Sequence, residues 1–101
     1  MSVIMTMRAK GDVGAFEKYA SAHSDELVRI ANAGKKMGAK HHMFAAADGE
    51  IVVIDEWPDA ETFQGFFTSQ QSEIAKIMAA AGVQGQPEIT FSRKLDTADE
   101  F

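Results

Sequence analysis

A histidine and an aspartate facing each other across a hairpin can make a general base, and this sequence offers one such pair. Two strand-like runs, His41 to Ala47 and Glu50 to Trp57, flank the dipeptide Asp48-Gly49. That dipeptide suits a two-residue turn, because glycine accepts positive φ without steric cost. The turn fixes a register in which Ala47 faces Glu50, Phe44 faces Val53 and His42 faces Asp55. Directly opposed side chains share a sheet face, with Cβ atoms about 5 Å apart. Alternation along the strand puts Trp57 on that face too. A carboxylate beside an imidazole orients its tautomer and suits it to accept a proton. An indole beside the pair could stack on a planar substrate. The same residues would also serve as a half-solvated cross-strand polar pair. A one-residue slip would set His41 against Asp55 instead.

Other candidates are weaker. His41 points to the opposite face, opposite Glu56, where a surface ion pair is expected. Neighbouring residues on a strand point opposite ways, so His41 and His42 cannot hold one ion together, and no metal site is expected. His23 follows Tyr19 by four residues on the border of a helical apolar stripe. It could reach a pocket between helix and sheet as an alternative base, or be a half-buried structural histidine. Tyr19 is read as a packed aromatic with a wet hydroxyl. Met5 and Met7 share one face of the first strand with Val3. Thioethers and phenyl rings of this kind suit a flat apolar ligand, and plain core packing accounts for them equally. No serine sits in a nucleophile-elbow pattern and no glycine-rich phosphate loop is present, so nucleotide cofactors have no visible seat.

These residues need a scaffold. Val3 to Ala9 reads as the first strand, broken by Gly11-Asp12, with Asp12 as an N-cap. Phe16, Ala20, Leu27, Ile30 and Ala31 recur at helical steps and predict one helix from Val13 to about Ala33, ended between Gly34 and Gly38. After the hairpin, Asp59 caps a second helix with Phe63, Phe66 and Phe67 on its apolar side. The stretch from Ser69 to Ser72 interrupts that helix, Ile74, Ile77, Met78 and Ala81 resume the stripe, and Gly82 stops it. Glu88 to Leu95 is the last strand. The order βαββαβ predicts a ferredoxin-like α+β domain over residues 1–95, an antiparallel four-stranded sheet with two helices on one face. An acidic tail follows over 96–101. The opposite sheet face would stay bare, and burying its apolar surface gains about 25 cal/mol per Å². A second copy is the simplest cover, which makes a homodimer the expected partner.

Composition narrows the function. The chain has 101 residues, 46% of them hydrophobic, which fits one globular domain. Fifteen acidic residues against ten basic ones give a net charge of −5 and no basic stripe, which argues against nucleic acid. Without cysteine there is no thiolate nucleophile, disulfide or thiolate-bound zinc. No apolar run approaches the roughly 20 residues that span a bilayer. No targeting signal is visible, so a cytoplasmic place without membrane contact is expected.

The stretch from Ile51 to Phe63, IVVIDEWPDAETF, followed by Phe66-Phe67 and a short half-helix, resembles the antibiotic biosynthesis monooxygenase-like group of the dimeric α+β barrel superfamily. In that group a hydrophobic strand ends in an acid, one spacer and Trp; Asp55 and Trp57 stand at those positions here. The resemblance runs through nearly the whole chain in element order and length. It implies a dimeric α+β barrel and one of several activities: cofactor-free oxygenation of phenols, haem degradation, isomerisation, or none. The haem-degrading branch uses an Asn on strand one, an aromatic in the second helix and a later His in that helix. This sequence has Thr6 between Met5 and Met7, Phe66 at the aromatic position, and no His after His42, so haem degradation is not expected. The reading that follows is a cofactor-independent monooxygenase acting on a planar aromatic metabolite. His42 or His23 would be its base, Asp55 the base's partner, and Trp57, Phe44, Met5, Met7, Tyr19 and Phe66 the walls. A non-catalytic ligand binder and an oxygen-independent isomerase are the alternatives.

Overall fold

A computed structural model describes residues 2–101. The elements run β1 (Val3–Lys10), α1 (Val13–Ala22), α2 (Ser24–Lys36), β2 (His41–Ala47), β3 (Glu50–Trp57), α3 (Ala60–Ser69), α4 (Gln71–Ala80) and β4 (Glu88–Arg93). The strands form one antiparallel sheet in the order β2-β3-β1-β4. This is the ferredoxin-like α+β arrangement expected from the element order.

The capping logic holds atom by atom. Asp12 accepts from the Ala15 amide at 3.0 Å, and Asp59 accepts from the Thr62 amide at 2.7 Å. Each side chain thereby satisfies one of the orphan donors of a helix's first turn. Gly49 sits at φ +69° in the hairpin turn, the left-handed region that the expected turn requires.

The first helical stretch departs from the sequence reading. It is two helices, broken at His23, whose φ of −127° and ψ of +40° leave helical space. The apolar period runs through the break, so periodicity alone conceals it. Polar residues disclose it: Ser24-Asp25-Glu26 open α2, and acidic side chains suit the positive end of a helix dipole. The second helical stretch breaks at Gln70, inside the segment expected to interrupt it. The last strand ends at Arg93, two residues short of the expected Leu95. Beyond it Lys94 reaches Glu100 at 2.6 Å and Asp96 at 3.4 Å.

The helices cover one sheet face. Met5, Met7, Val53 and Trp57 from the sheet meet Phe63 and Phe66 from α3 in the main core cluster. Phe16, Ile51, Ile77 and Ala81 form a second cluster beside it. The other sheet face has an apolar middle, with Ile4, Val52, Ile54 and Met43 among its side chains. Thr6, Arg8, Glu50, Glu56, Glu88 and Thr90 surround them, so this face is more mixed than the bare apolar surface expected. The contact anticipated there is present, His41 Nε2 standing 3.9 Å from a Glu56 carboxylate oxygen.

Candidate active site

The register of the hairpin is the one the turn dictates. Phe44 pairs with Val53 and His42 with Asp55, all on the helix-covered side. Strand β1 lies on the other side of β3 and sets Met5 against Asp55 and Met7 against Val53. Three strands thus place His42, Asp55 and Met5 in one row across the sheet.

That row borders a cavity of about 100 Å³ between sheet and helices. Met5, Met7, Phe44, Val53 and Trp57 line it from the sheet, and Leu27, Ile30, Phe63, Phe66 and Met78 from the helices. His42 and Asp55 are the titratable groups in a lining that is otherwise apolar, and no lysine or arginine reaches it among the described residues. Strand β2 is the sheet edge and is exposed along its whole length. The His42 side chain keeps 38% of its surface in contact with solvent, whereas that of Asp55 keeps 6%. The histidine therefore stands at the mouth and the carboxylate inside.

Three side chains make a hydrogen-bonded chain. His42 Nδ1 lies 2.7 Å from Asp55 Oδ1, and the Trp57 indole N–H donates to Asp55 Oδ2 at 3.0 Å. An ionised carboxylate only accepts, so a neutral imidazole in this contact carries its proton on Nδ1 and its lone pair on Nε2. Among the described residues Nε2 has no hydrogen-bond partner. Phe44 packs edge-on to the imidazole, with centroids 5.0 Å apart, and its other neighbour is Phe16 at 4.8 Å. The arrangement can take a proton from a flat molecule lying in the cavity and hold it on a carboxylate-backed imidazole.

The remaining candidates fall into two groups. Met5, Met7, Phe44, Phe66 and Trp57 all line the cavity. His23 and Tyr19 do not. His23 sits at the break between α1 and α2, its ring stacked on Tyr19 at 4.1 Å and its Nδ1 3.1 Å from the Tyr19 carbonyl oxygen. Tyr19 donates its hydroxyl proton to Glu26 at 2.9 Å, and Lys76 of α4 approaches the same carboxylate at 3.4 Å. The tyrosine hydrogen bond, joined by Lys76, holds the Glu26 carboxyl below the usual carboxylate range against an opposing effect of burial. Burial and the Glu26 carboxylate push the Tyr19 phenol up. This polar knot ties α1, α2 and α4 together.

Three features escaped the sequence reading. Glu26 lies seven residues after Tyr19, and on the single helix the sequence predicts that spacing puts the two on one face. Phe63 belongs to the apolar stripe of α3, whose direction toward the cavity depends on how α3 packs. Gly34 lets α2 approach the site: a Cβ there would stand 3.4 Å from the Phe66 ring and 3.5 Å from the Trp57 indole.

No protein-family model matches the chain, and no curated protein does. Solved structures do. The chain is similar to SnoaB, a cofactor-independent oxygenase from Streptomyces nogalater, at 19% identity over 98% of each chain with a TM-score of 0.60. It is similar to Rv0793 from Mycobacterium tuberculosis at 16% identity, over 98% of this chain and 100% of that one, with a TM-score of 0.62. An antibiotic biosynthesis monooxygenase at 8% identity matches 93% of this chain and 99% of its own, with a TM-score of 0.64. The fold is that of the antibiotic biosynthesis monooxygenases, a ferredoxin-like α+β fold.

Proposed function

We propose that this protein is a small cofactor-independent oxygenase acting on an uncharged planar aromatic metabolite, with His42 as its base. The observation that carries the reading is one carboxylate-backed imidazole at the mouth of an otherwise apolar cavity. SnoaB, of the same fold, is a cofactor-independent oxygenase, and that supports the general kind of chemistry.

The chemistry balances without a reductant. An activated methylene between two aromatic rings, or a phenol, gives its proton to His42 Nε2. The resulting anion adds dioxygen at carbon, and the imidazolium returns its proton to the peroxide oxygen. Loss of the second C–H proton to the same base breaks the O–O bond. One oxygen stays as a carbonyl and the other leaves as water: CH2 plus O2 gives C=O plus H2O. The substrate supplies all the electrons. Asp55 stabilises the imidazolium that forms between the two proton transfers.

The cavity also argues for substrate charge. With no lysine or arginine in its lining and a carboxylate within, an anionic substituent would be desolvated without a counter-ion. The substrate enters neutral and ionises in place.

Two-fold pairing across the open sheet face, around Ile4, Val52, Ile54 and Met43, belongs to the same reading, as does a cytoplasmic place. No helix among the described residues is long and apolar enough to cross a membrane. Sedimentation tests the pairing: a dimer at micromolar concentration is expected, and a monomer there contradicts it.

The test of function is oxygen uptake with a panel of hydroquinones and anthrones. Uptake that falls in His42→Ala and survives in His23→Ala supports the reading. Unchanged uptake in His42→Ala overturns it. Turnover that persists under strict anaerobiosis would mark an isomerase using the same base.

A further inference from the structure

The Trp57 indole is sealed in the core. It is 1% exposed, with Phe63 edge-on at 5.7 Å and Phe66 tilted at 5.1 Å. Gly34 of α2 lies close against its far edge. The ring therefore has one seat, and in that seat its N–H points at Asp55 Oδ2, 3.0 Å away. Asp55 is itself buried, and its other oxygen takes the His42 ring at 2.7 Å. The ring thus makes one directed polar contact besides lining the cavity.

We propose that Trp57 is a positioning residue. Its N–H fixes the Asp55 carboxylate and, through it, decides which nitrogen of His42 carries the proton. The consequence for rate rests on His42 being the base, whereas the effect on the ring is measurable with no substrate present.

A buried carboxylate oxygen deprived of its donor is the costly case. Without the indole N–H, Asp55 turns or draws in water, and Oδ1 no longer faces Nδ1 in a fixed direction. The imidazole then relaxes toward the tautomer mixture it has in water, where the Nε2–H form dominates. In that form Nε2 is no longer the lone-pair nitrogen at the cavity mouth.

In Asp55→Asn the indole N–H claims the amide oxygen. The amide NH2 is then turned onto His42 Nδ1, which must accept. The ring is driven to the Nε2–H form. Adding Trp57→Phe frees the amide to turn its oxygen toward Nδ1–H, and the drive disappears.

The experiment is 15N NMR of the ligand-free protein, labelled at histidine, at a pH where the imidazole is neutral. Wild type is expected in the Nδ1–H form, Trp57→Phe in a mixture, and Asp55→Asn in the Nε2–H form. The double variant is expected to leave the pure Nε2–H form for a mixture, as in Trp57→Phe. A Trp57→Phe spectrum equal to wild type, or single and double position-55 variants with the same tautomer, overturns the proposal. If Trp57→Phe does not fold, Asp55→Asn alone decides: an Nδ1–H ring there contradicts control by the indole. In turnover, Trp57→Phe is expected to lower kcat at least about tenfold with KM within about twofold, as for an interaction made through the base. A KM rise with kcat unchanged would mark Trp57 as a mere wall. Tautomer shifts in a protein that consumes no oxygen would leave this proposal standing and the oxygenase reading refuted.

Discussion

Asp55 Oδ1 lies 2.7 Å from His42 Nδ1, and the two residues come from opposite arms of one hairpin. The turn at Asp48-Gly49 thus sets the distance between base and carboxylate. The carboxylate is buried while the imidazole reaches solvent, so the base has a fixed inner end and an accessible outer one. Removing either partner should therefore damage chemistry more than fold. We expect His42→Ala and Asp55→Asn each to lower kcat/KM by about two to four orders of magnitude, the range for a lost or mis-tautomerised base. Steady-state oxygen uptake checks this, with thermal melts showing that both variants fold.

Phe63 and Phe44 are both aromatic and both line the cavity, but they differ in depth. Phe63 is 2% exposed and packs on Trp57, Phe67 and Phe91. Phe63→Ala should cost about 3–5 kcal/mol of stability, the usual range for a buried phenylalanine. Phe44 is half-exposed on an edge strand. Phe44→Ala should cost much less stability and weaken binding of an aromatic ligand. Urea melts and ligand titration, run on the same two variants, separate the two effects.

Gly34 offers a graded test of the packing behind the site. A Cβ would meet Phe66 and Trp57 at contact distance, so alanine fits and anything longer does not. Gly34→Ala should leave stability level or raise it by up to about 1 kcal/mol through helix propensity. Gly34→Leu should destabilise by about 1–3 kcal/mol, as overpacking does, and perturb Trp57 fluorescence.

The fold was legible because its signals are local. Asp12 and Asp59 cap the helices, Gly49 turns the hairpin, and alternation sorts the sheet faces. The pairing of His42 with Asp55 followed from the turn alone. The part of Trp57 did not, because its direction is set by Phe63, Phe66 and Gly34, which come from other elements. His23 misled for a related reason: the stripe of Phe16, Ala20, Leu27 and Ile30 continues across a break that only backbone geometry reveals. Nothing in the spacing showed that its ring would lie on Tyr19.

Acid should act through Glu26. Its carboxyl titrates below the ordinary value of 4.5, chiefly because it accepts from Tyr19 and also because Lys76 is near. A depressed carboxyl stabilises the fold above its unfolded value, and that contribution is lost as pH falls through the folded one. Melting temperature should therefore drop as pH falls below about 4.5, and Glu26→Gln should flatten this part of the curve. Thermal melts of both proteins between neutral pH and pH 3 are the check.

The central claim is that His42 Nε2 takes the proton, and chemical rescue tests it most directly. His42 is partly exposed at the mouth, so free imidazole can occupy the space left in His42→Ala. We expect that variant to consume little oxygen alone and to regain activity in proportion to added free-base imidazole. Wild-type consumption by His42→Ala with no imidazole present would contradict the account.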